Sequence, residues 1–312
     1  FLDNSFLSSK STESILFRTA PAPMYLLSKL VNKLGHKVVF TGEGADEILY
    51  GYDIFFENRI RNFWRRNPNS KLRPQLLQKL YYYLPQFKNS RYFEILKDFY
   101  KITLNENNYN FFYSHLVRWS QFNHVSKFFN FSNSDDLQEK MFLSIKENMP
   151  SEFFDLNEDA RTQYLEMNTL LSGYLLSSQG DRMTMANSVE GRYPFLDMNF
   201  VNFCSNINPK TLAPGIKSKN LFRNTFKNII PKEIITKPKV AYQAPEAKSF
   251  LDHKFISKEA EEFIENISNT NQLNKKNFED LINKIKNPIS TSRLGFRENM
   301  AFIMGISCFY LK

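Results

Sequence analysis

Cysteine, histidine and glycine are all scarce in this chain. Its two cysteines, Cys204 and Cys308, stand in apolar surroundings ("FVNFCSNI" and "MGISCFYL") and form neither a metal-type nor a redox-type spacing. They read as buried free thiols of a reducing compartment, so a disulfide scaffold is excluded. The four histidines, His36, His115, His124 and His253, are scattered and give no paired-ligand pattern. Ten glycines in 312 residues disfavour a Gly-rich β-sandwich. No apolar run approaches the ~20 residues of a membrane span. No signal-peptide pattern opens the chain, and the expectation is a cytoplasmic protein with no membrane partner.

What is abundant is aromatic and basic. Aromatics make up 15% of the residues, mostly Phe and Tyr, and the formal net charge is +9. A hydrophobic content of 42% with 23% charged residues is ordinary for a globular chain. Such a length buries a sizeable core in one large domain or two smaller ones. The chain begins at Phe1 without Met and reads as a piece of something longer.

The segment "APAPMYLLSKLVNKLGH" predicts a helix: prolines at its start, Met24, Leu27, Leu30, Val31 and Leu34 on one side, Gly35 as its stop. "KVVFT" then predicts a short buried strand, the αβ half of a parallel-sheet unit. Between Arg59 and Arg91 nine Lys or Arg occur with no acidic residue. They are interleaved with Phe63, Trp64, Tyr81, Tyr82, Tyr83 and Phe87. Helix-like spacing predicts a core-facing aromatic side and a solvated basic side. Asn157 predicts an N-cap, followed by a helix with Tyr164, Met167, Leu171, Tyr174 and Leu175 on one stripe. The polar stretch from Asn266 to Asn287 reads as a mobile loop or a surface helix pair. "RENMAFIMGISCFYL" reads as a buried helix.

Three stretches carry chemistry. The first is "VVFTGEGADEILYGY", where Glu43, Asp46 and Glu47 share one tight turn and repel unless a cation or an amine sits among them. A Gly-rich strand end opening a helix is a place for phosphate, and Mg²⁺ would reconcile phosphate with carboxylates. The plainer alternative is that Asp46 and Glu47 complement the helix dipole, which leaves Glu43 unexplained. The second is "SSQGDRMTMANSVEGRYPFLD", with Asp181, Arg182, Glu190, Arg192 and Asp197 among small and apolar residues. A structural ion-pair network is the favoured reading there, ahead of a catalytic cluster. The third is "ITKPKVAYQAP". Its prolines stiffen a loop that carries Lys237 and Lys239, although a loop lysine is more often simply solvated.

Taken together the three stretches resemble the synthetase domain of glutamine-dependent asparagine synthetases. "FTGEGADEILYGY" is similar to that family's S-G-E-G-[AS]-D-E-x-x-x-G-Y segment, with Thr41 for the usual Ser. "DRMTMANSVEGRYPFLD" is similar to its D-R-x-[ST]-M-A-x-[SG]-x-E-x-R-x-P-F-L-D segment, and "KPKVAYQAP" to the lysine loop that follows. "LFRTAPAPMYLLSKLV" resembles the family's first helix. The order agrees over roughly residues 12 to 312, and three long motifs in order are far more specific than one.

The resemblance implies an α/β, mostly helical fold, the remnant of a parallel-sheet, adenine-nucleotide-hydrolase-like (PP-loop ATP pyrophosphatase) domain with a large helical part. Residues 1–312 are then a partial synthetase domain: 1–52 a nucleotide-binding αβ part, 53–155 a helical basic and aromatic part, 156–312 a helical part with active-site segments. It implies a ligase that adenylates aspartate with ATP and amidates the β-aspartyl-AMP with ammonia from glutamine. Implied site residues are Glu43, Lys239 and Arg18 for catalysis, Thr41, Gly42, Gly44, Asp181 and Arg182 for the nucleotide, and Asp46 for Mg²⁺. A homodimer is implied for the full-length protein. Two family features are not in these 312 residues: a Ser-Gly-Gly-x-Asp-Ser pyrophosphate loop and a cysteine glutaminase domain. The chain by itself is therefore expected not to make asparagine. Competing expectations are a related adenylating amidotransferase or cyclase with another carboxylate substrate, or an inactive fragment. Nucleic-acid binding through residues 59–91 is disfavoured, because that stretch matches no reader motif.

Overall fold

A computed structural model describes residues 11–82, 89–101, 103–104, 110–130, 137–240, 242, 244–252, 254–286 and 295–311. Tyr83, Phe87, Asn287 and His253 lie outside the described residues. The first helix, α1 (Pro21–Lys33), starts on two prolines and ends before Gly35, whose φ of 84° only glycine adopts readily. Strand β1 (Val38–Phe40) follows, then the four-residue helix α2 (Ala45–Ile48). Next come α3 (Asp53–Arg65), α4 (Leu76–Leu80), α5 (Ser90–Lys101), α6 (Tyr113–Trp119) and α7 (Leu137–Glu147). Helix α8 (Glu158–Leu165) is capped by the Asn157 side chain on the Ala160 N–H and continues through Glu166–Asp181 in the wider π winding. Short α9 (Arg182–Met185) leads to β2 (Glu190–Arg192), then α10 (Met198–Ser205) and α11 (Asn220–Thr225). The chain closes with a small hairpin, β3 (Leu251–Asp252) and β4 (Phe255–Ile256), and helices α12 (Lys258–Asn266), α13 (Lys275–Lys286) and α14 (Phe296–Tyr310).

Strands β1 and β2 pair in parallel, Val38 opposite Glu190 and Phe40 opposite Arg192. The fold is thus α/β and mostly helical, with a small parallel sheet. β2 falls inside the second motif stretch, so the sheet brings the ends of two motifs side by side. Three apolar clusters form the core. One gathers Tyr50, Phe55, Ile60 and Trp64 with Leu77 and Leu212. The second joins Phe112, Phe142, Phe153 and Leu165. The third packs Phe250, Phe263, Phe278, Ile282 and Phe302 under the last helices.

Several expectations are corrected. β1 is not buried: Phe40 is 70% exposed, and Leu27 and Leu30 on α1 and Leu34 at its C-terminal cap are exposed as well. The 59–91 stretch is not divided into an aromatic inside and a basic outside. Arg61 is fully buried, donating to the carbonyls of Tyr113 and Ser114 and to Thr103 Oγ1, while Phe63 and Tyr82 are exposed. The polar stretch after Asn266 holds one long helix, α13, with Phe278, Leu281, Ile282 and Ile285 buried. Cys204 is buried and Cys308 half-buried, and neither is in a disulfide.

Candidate active site

The acidic turn sits where β1 ends. Gly44 has a φ of 87°, and a Cβ there would overlap the Leu196 side chain, so the turn can close against the second motif only with glycine. Helix α2 is too short to offer much of a dipole, and the Ala45 N–H is already bonded to the Gly42 carbonyl.

What the turn receives is lysine. Lys239 Nζ lies 2.8 Å from Asp46 Oδ2, and Lys219 Nζ lies 3.0 Å from Oδ1. Lys239 also lies over the Tyr52 ring, 5.3 Å from its centroid. The Tyr52 hydroxyl donates to Glu47 Oε1 at 2.8 Å, and burial raises the Glu47 pKa above its ordinary value. The chain itself supplies two amines to one of the three acids, Asp46. Two non-glycine residues hold this arrangement in the left-handed region, Tyr50 (φ 57°) and Lys219 (φ 50°), and the Lys219 N–H bonds to the Tyr50 carbonyl. Backbone strain of this kind costs about 1–3 kcal/mol per residue and gathers at functional sites.

Glu43 differs from Asp46. Its Oε2 makes no ion pair and is buried without a hydrogen-bond partner among the described residues; Thr41 Oγ1 and Asp46 Oδ1 also lack a hydrogen bond, although Oδ1 keeps its ion pair with Lys219. A buried acceptor and a buried hydroxyl left unpaired beside paired neighbours leave room for a ligand's hydrogen bonds. Tyr193 lies near both groups of acids. Its hydroxyl donates to Asp181 Oδ1, and burial, that bond and the charges of Asp181 and Glu43 hold its pKa above the ordinary tyrosine value.

Residues 9–303 match the family profile described as asparagine synthase. The chain belongs to the asparagine synthase family. It is 27% identical over 267 residues to amidase chyE of Penicillium rubens, covering 78% of this chain and 38% of that protein. It is 26% identical over 258 residues to asparagine synthetase [glutamine-hydrolyzing] 1 of Bacillus subtilis, covering 81% and 37%. A segment of 68 residues is 43% identical to the human asparagine synthetase [glutamine-hydrolyzing]. The chain thus spans under two-fifths of the length of the first two relatives.

Of the residues expected from the asparagine synthase resemblance, the structure brings together Thr41, Glu43, Gly44, Asp46 and Lys239, with Asp181 joined through Tyr193. Gly42 stands exposed in the same turn. Arg182 points elsewhere, to Ser14 Oγ at 3.3 Å. Arg18 is not brought to this cluster. It faces Glu246 at 3.8 Å and Phe296 across a separate cleft of about 180 Å³. The expected ion-pair network of the second stretch is not formed. Glu190 and Arg192 pair with each other on the surface, and Asp197 caps α10. Asp46 does not fit a resident Mg²⁺ in this arrangement, because both its oxygens face ammonium groups. Among the described residues no three His, Cys, Asp or Glu gather as metal ligands. Lys219, Tyr52 and Tyr193 were missed from the sequence. The two tyrosines lie inside quoted stretches, but a left-handed lysine carries no sequence signal.

Proposed function

We propose that this asparagine synthase family chain serves an ATP-dependent ligase that converts aspartate to asparagine. The reaction begins when a side-chain carboxylate oxygen attacks the α-phosphorus of ATP. The bond to the β-phosphate oxygen breaks and pyrophosphate leaves. Ammonia, supplied from glutamine, then attacks the acyl carbon of the β-aspartyl-AMP. The C–O bond breaks, AMP departs and the amine loses a proton. Glu43 suits the last event, because its Oε2 is free to accept that proton and to orient the amine. Lys239 and Lys219 place positive charge where pyrophosphate and the tetrahedral oxyanion develop negative charge. Thr41, Gly42 and Gly44 line the nucleotide side, and Asp181, through Tyr193, braces the wall facing Glu43.

The observation that carries this reading is the contrast within one turn, a lysine-clamped Asp46 beside an unpartnered Glu43. The likeness to a protein named as an amidase favours a second reading, the same two steps on another carboxylate. The test is product analysis on the protein at its natural length with ATP, aspartate and ammonium. Equal yields of AMP, pyrophosphate and asparagine are expected. Pyrophosphate release that requires a different carboxylic acid would replace aspartate by that acid. No carboxylate-dependent pyrophosphate release at all would refute both readings.

A further inference from the structure

Beside the Asp46 cluster lies a cavity of about 390 Å³ whose wall is strongly basic. Lys79 reaches it from α4, Lys217 from the turn before α11, and Lys237 and Lys239 from the proline-stiffened loop. Arg223 completes the cations, and Asp53 is the one carboxylate among the described lining residues. Lys79 and Lys217 belong to none of the three motif stretches.

Among the described residues these charges are only partly neutralised. Lys79, Lys217 and Lys237 are exposed and make no ion pair among the described residues. The Arg223 guanidinium donates to the carbonyls of Ile235 and Lys237, which fixes the loop but cancels no charge. Lys239 shares Asp46 with Lys219. Among the described residues the cavity lining holds five cations, Lys79, Lys217, Arg223, Lys237 and Lys239, against one carboxylate, Asp53, an excess of four that falls to three where Asp46 holds Lys239. A concave wall of one sign focuses its potential on a counter-ion. The hydroxyls of Ser218 and Thr236 and the Asn220 amide add neutral donors to the same wall.

We propose that this cavity binds a condensed phosphate anion, pyrophosphate or tripolyphosphate, through Lys79, Lys217 and Lys237, beside the Asp46 cluster rather than at it. Orthophosphate brings too little charge to balance the excess. Nucleic-acid phosphates are strung along a backbone, whereas these cations are gathered on one concave wall. The proposal rests on the adenylating reading only for one source of the anion, the pyrophosphate that the reaction releases; free polyphosphate is the other.

Isothermal titration of residues 1–312 with pyrophosphate, tripolyphosphate and orthophosphate at low salt tests it. Both condensed phosphates are expected to bind more tightly than orthophosphate and to weaken as salt is added. The double variant Lys79→Ala, Lys217→Ala should lower their affinity about tenfold or more. Lys146→Ala, a distant exposed lysine, should leave it unchanged, and circular dichroism should show each variant folded. Tighter pyrophosphate marks the reaction's own product and tighter tripolyphosphate a longer polyphosphate; either supports the pocket. Affinity unchanged in the double variant, or lost equally in Lys146→Ala, overturns it. Binding needs no turnover, so product formation without this binding overturns the pocket alone. Binding without product formation counts against the proposed reaction alone.

Discussion

Glu43 and Asp46 stand three residues apart and meet opposite surroundings. Asp46 is gripped by two lysines, while Glu43 keeps a buried oxygen unpaired. Glu43→Gln should therefore preserve much of the pyrophosphate release while asparagine formation falls roughly 10²–10⁴-fold, the usual worth of one positioned acid–base group. Quantifying both products in one assay checks this, and equal loss of the two would contradict the role. Gly51 offers a finer probe. Its φ is not positive, but a Cβ there would overlap Asp46 Oδ1 and the Lys219 side chain. Gly51→Ala should push the pair apart and lower kcat about 10²-fold, as misplacements of ~1 Å do. Its melting temperature should barely move, since the backbone tolerates alanine. A large drop in melting temperature with kcat intact would reverse that expectation.

Helix α3 shows why the basic stretch could not be read from its pattern. Aromatic spacing predicts an inner aromatic face, yet the helix turns Arg59 and Arg61 inward because other segments offer them acceptors. Arg59 Nε meets both carboxylate oxygens of Asp159 at 3.1 Å, and its Nη1 donates to Gly215 O at 3.0 Å. Those acceptors arrive from 100 and 156 residues away, beyond any local period. On the same helix Glu57 is buried against Arg118 at 3.0 Å, with the Tyr81 hydroxyl donating to it. Burial pushes its pKa up, but the Arg118 charge and the hydroxyls of Tyr81 and Tyr100 outweigh burial and hold it below 4.5. A lowered carboxylate stabilises the fold above its unfolded value and loses that share as pH falls through the folded one. Glu57→Gln should then cost roughly 1.5–3 kcal/mol near neutral pH, toward the low end because water reaches Arg118. The gap from the wild type should close in acid. Urea melts across pH 3 to 7 measure the difference, and a pH-independent gap would show that shape, not charge, is at stake. Glu47 and Glu246 have the opposite sign, since burial raises both, so only the difference isolates Glu57.

At the scale of the whole chain the sheet is small and bare. Among the described residues β1 and β2 pair only with each other. Val38 and Phe40 share one face of β1 and both are exposed. Leu27 and Leu30 on α1 and Leu34 at its C-terminal cap are exposed at i, i+3 and i+7. Parallel sheets are ordinarily covered on both faces, and exposed apolar patches of this kind drive association. Residues 1–312 should therefore self-associate with rising concentration, and Leu30→Lys with Phe40→Thr should shift the population toward monomer. Sedimentation velocity reads this directly; identical distributions for the two proteins would show that the patch is inert.

The sequence by itself determined the α1–β1 unit, the N-cap at Asn157, the buried last helix and the asparagine synthase motifs. Each of these is written in adjacent residues: prolines and Gly35 around α1, an Asn before Glu158 and Asp159, a mostly apolar run from Met300 to Tyr310 in α14. It also posed the right question about Glu43, Asp46 and Glu47, namely what positive charge sits among them. Only the tertiary structure decided the answer. Lys219 is a long way along the chain from Asp46 and sits in a left-handed conformation that no lysine announces. Which acids are clamped and which remain open depends on where two distant loops carry their ammonium groups. Local patterns carry the preferences of neighbours, whereas the pairing of distant charges is set by packing.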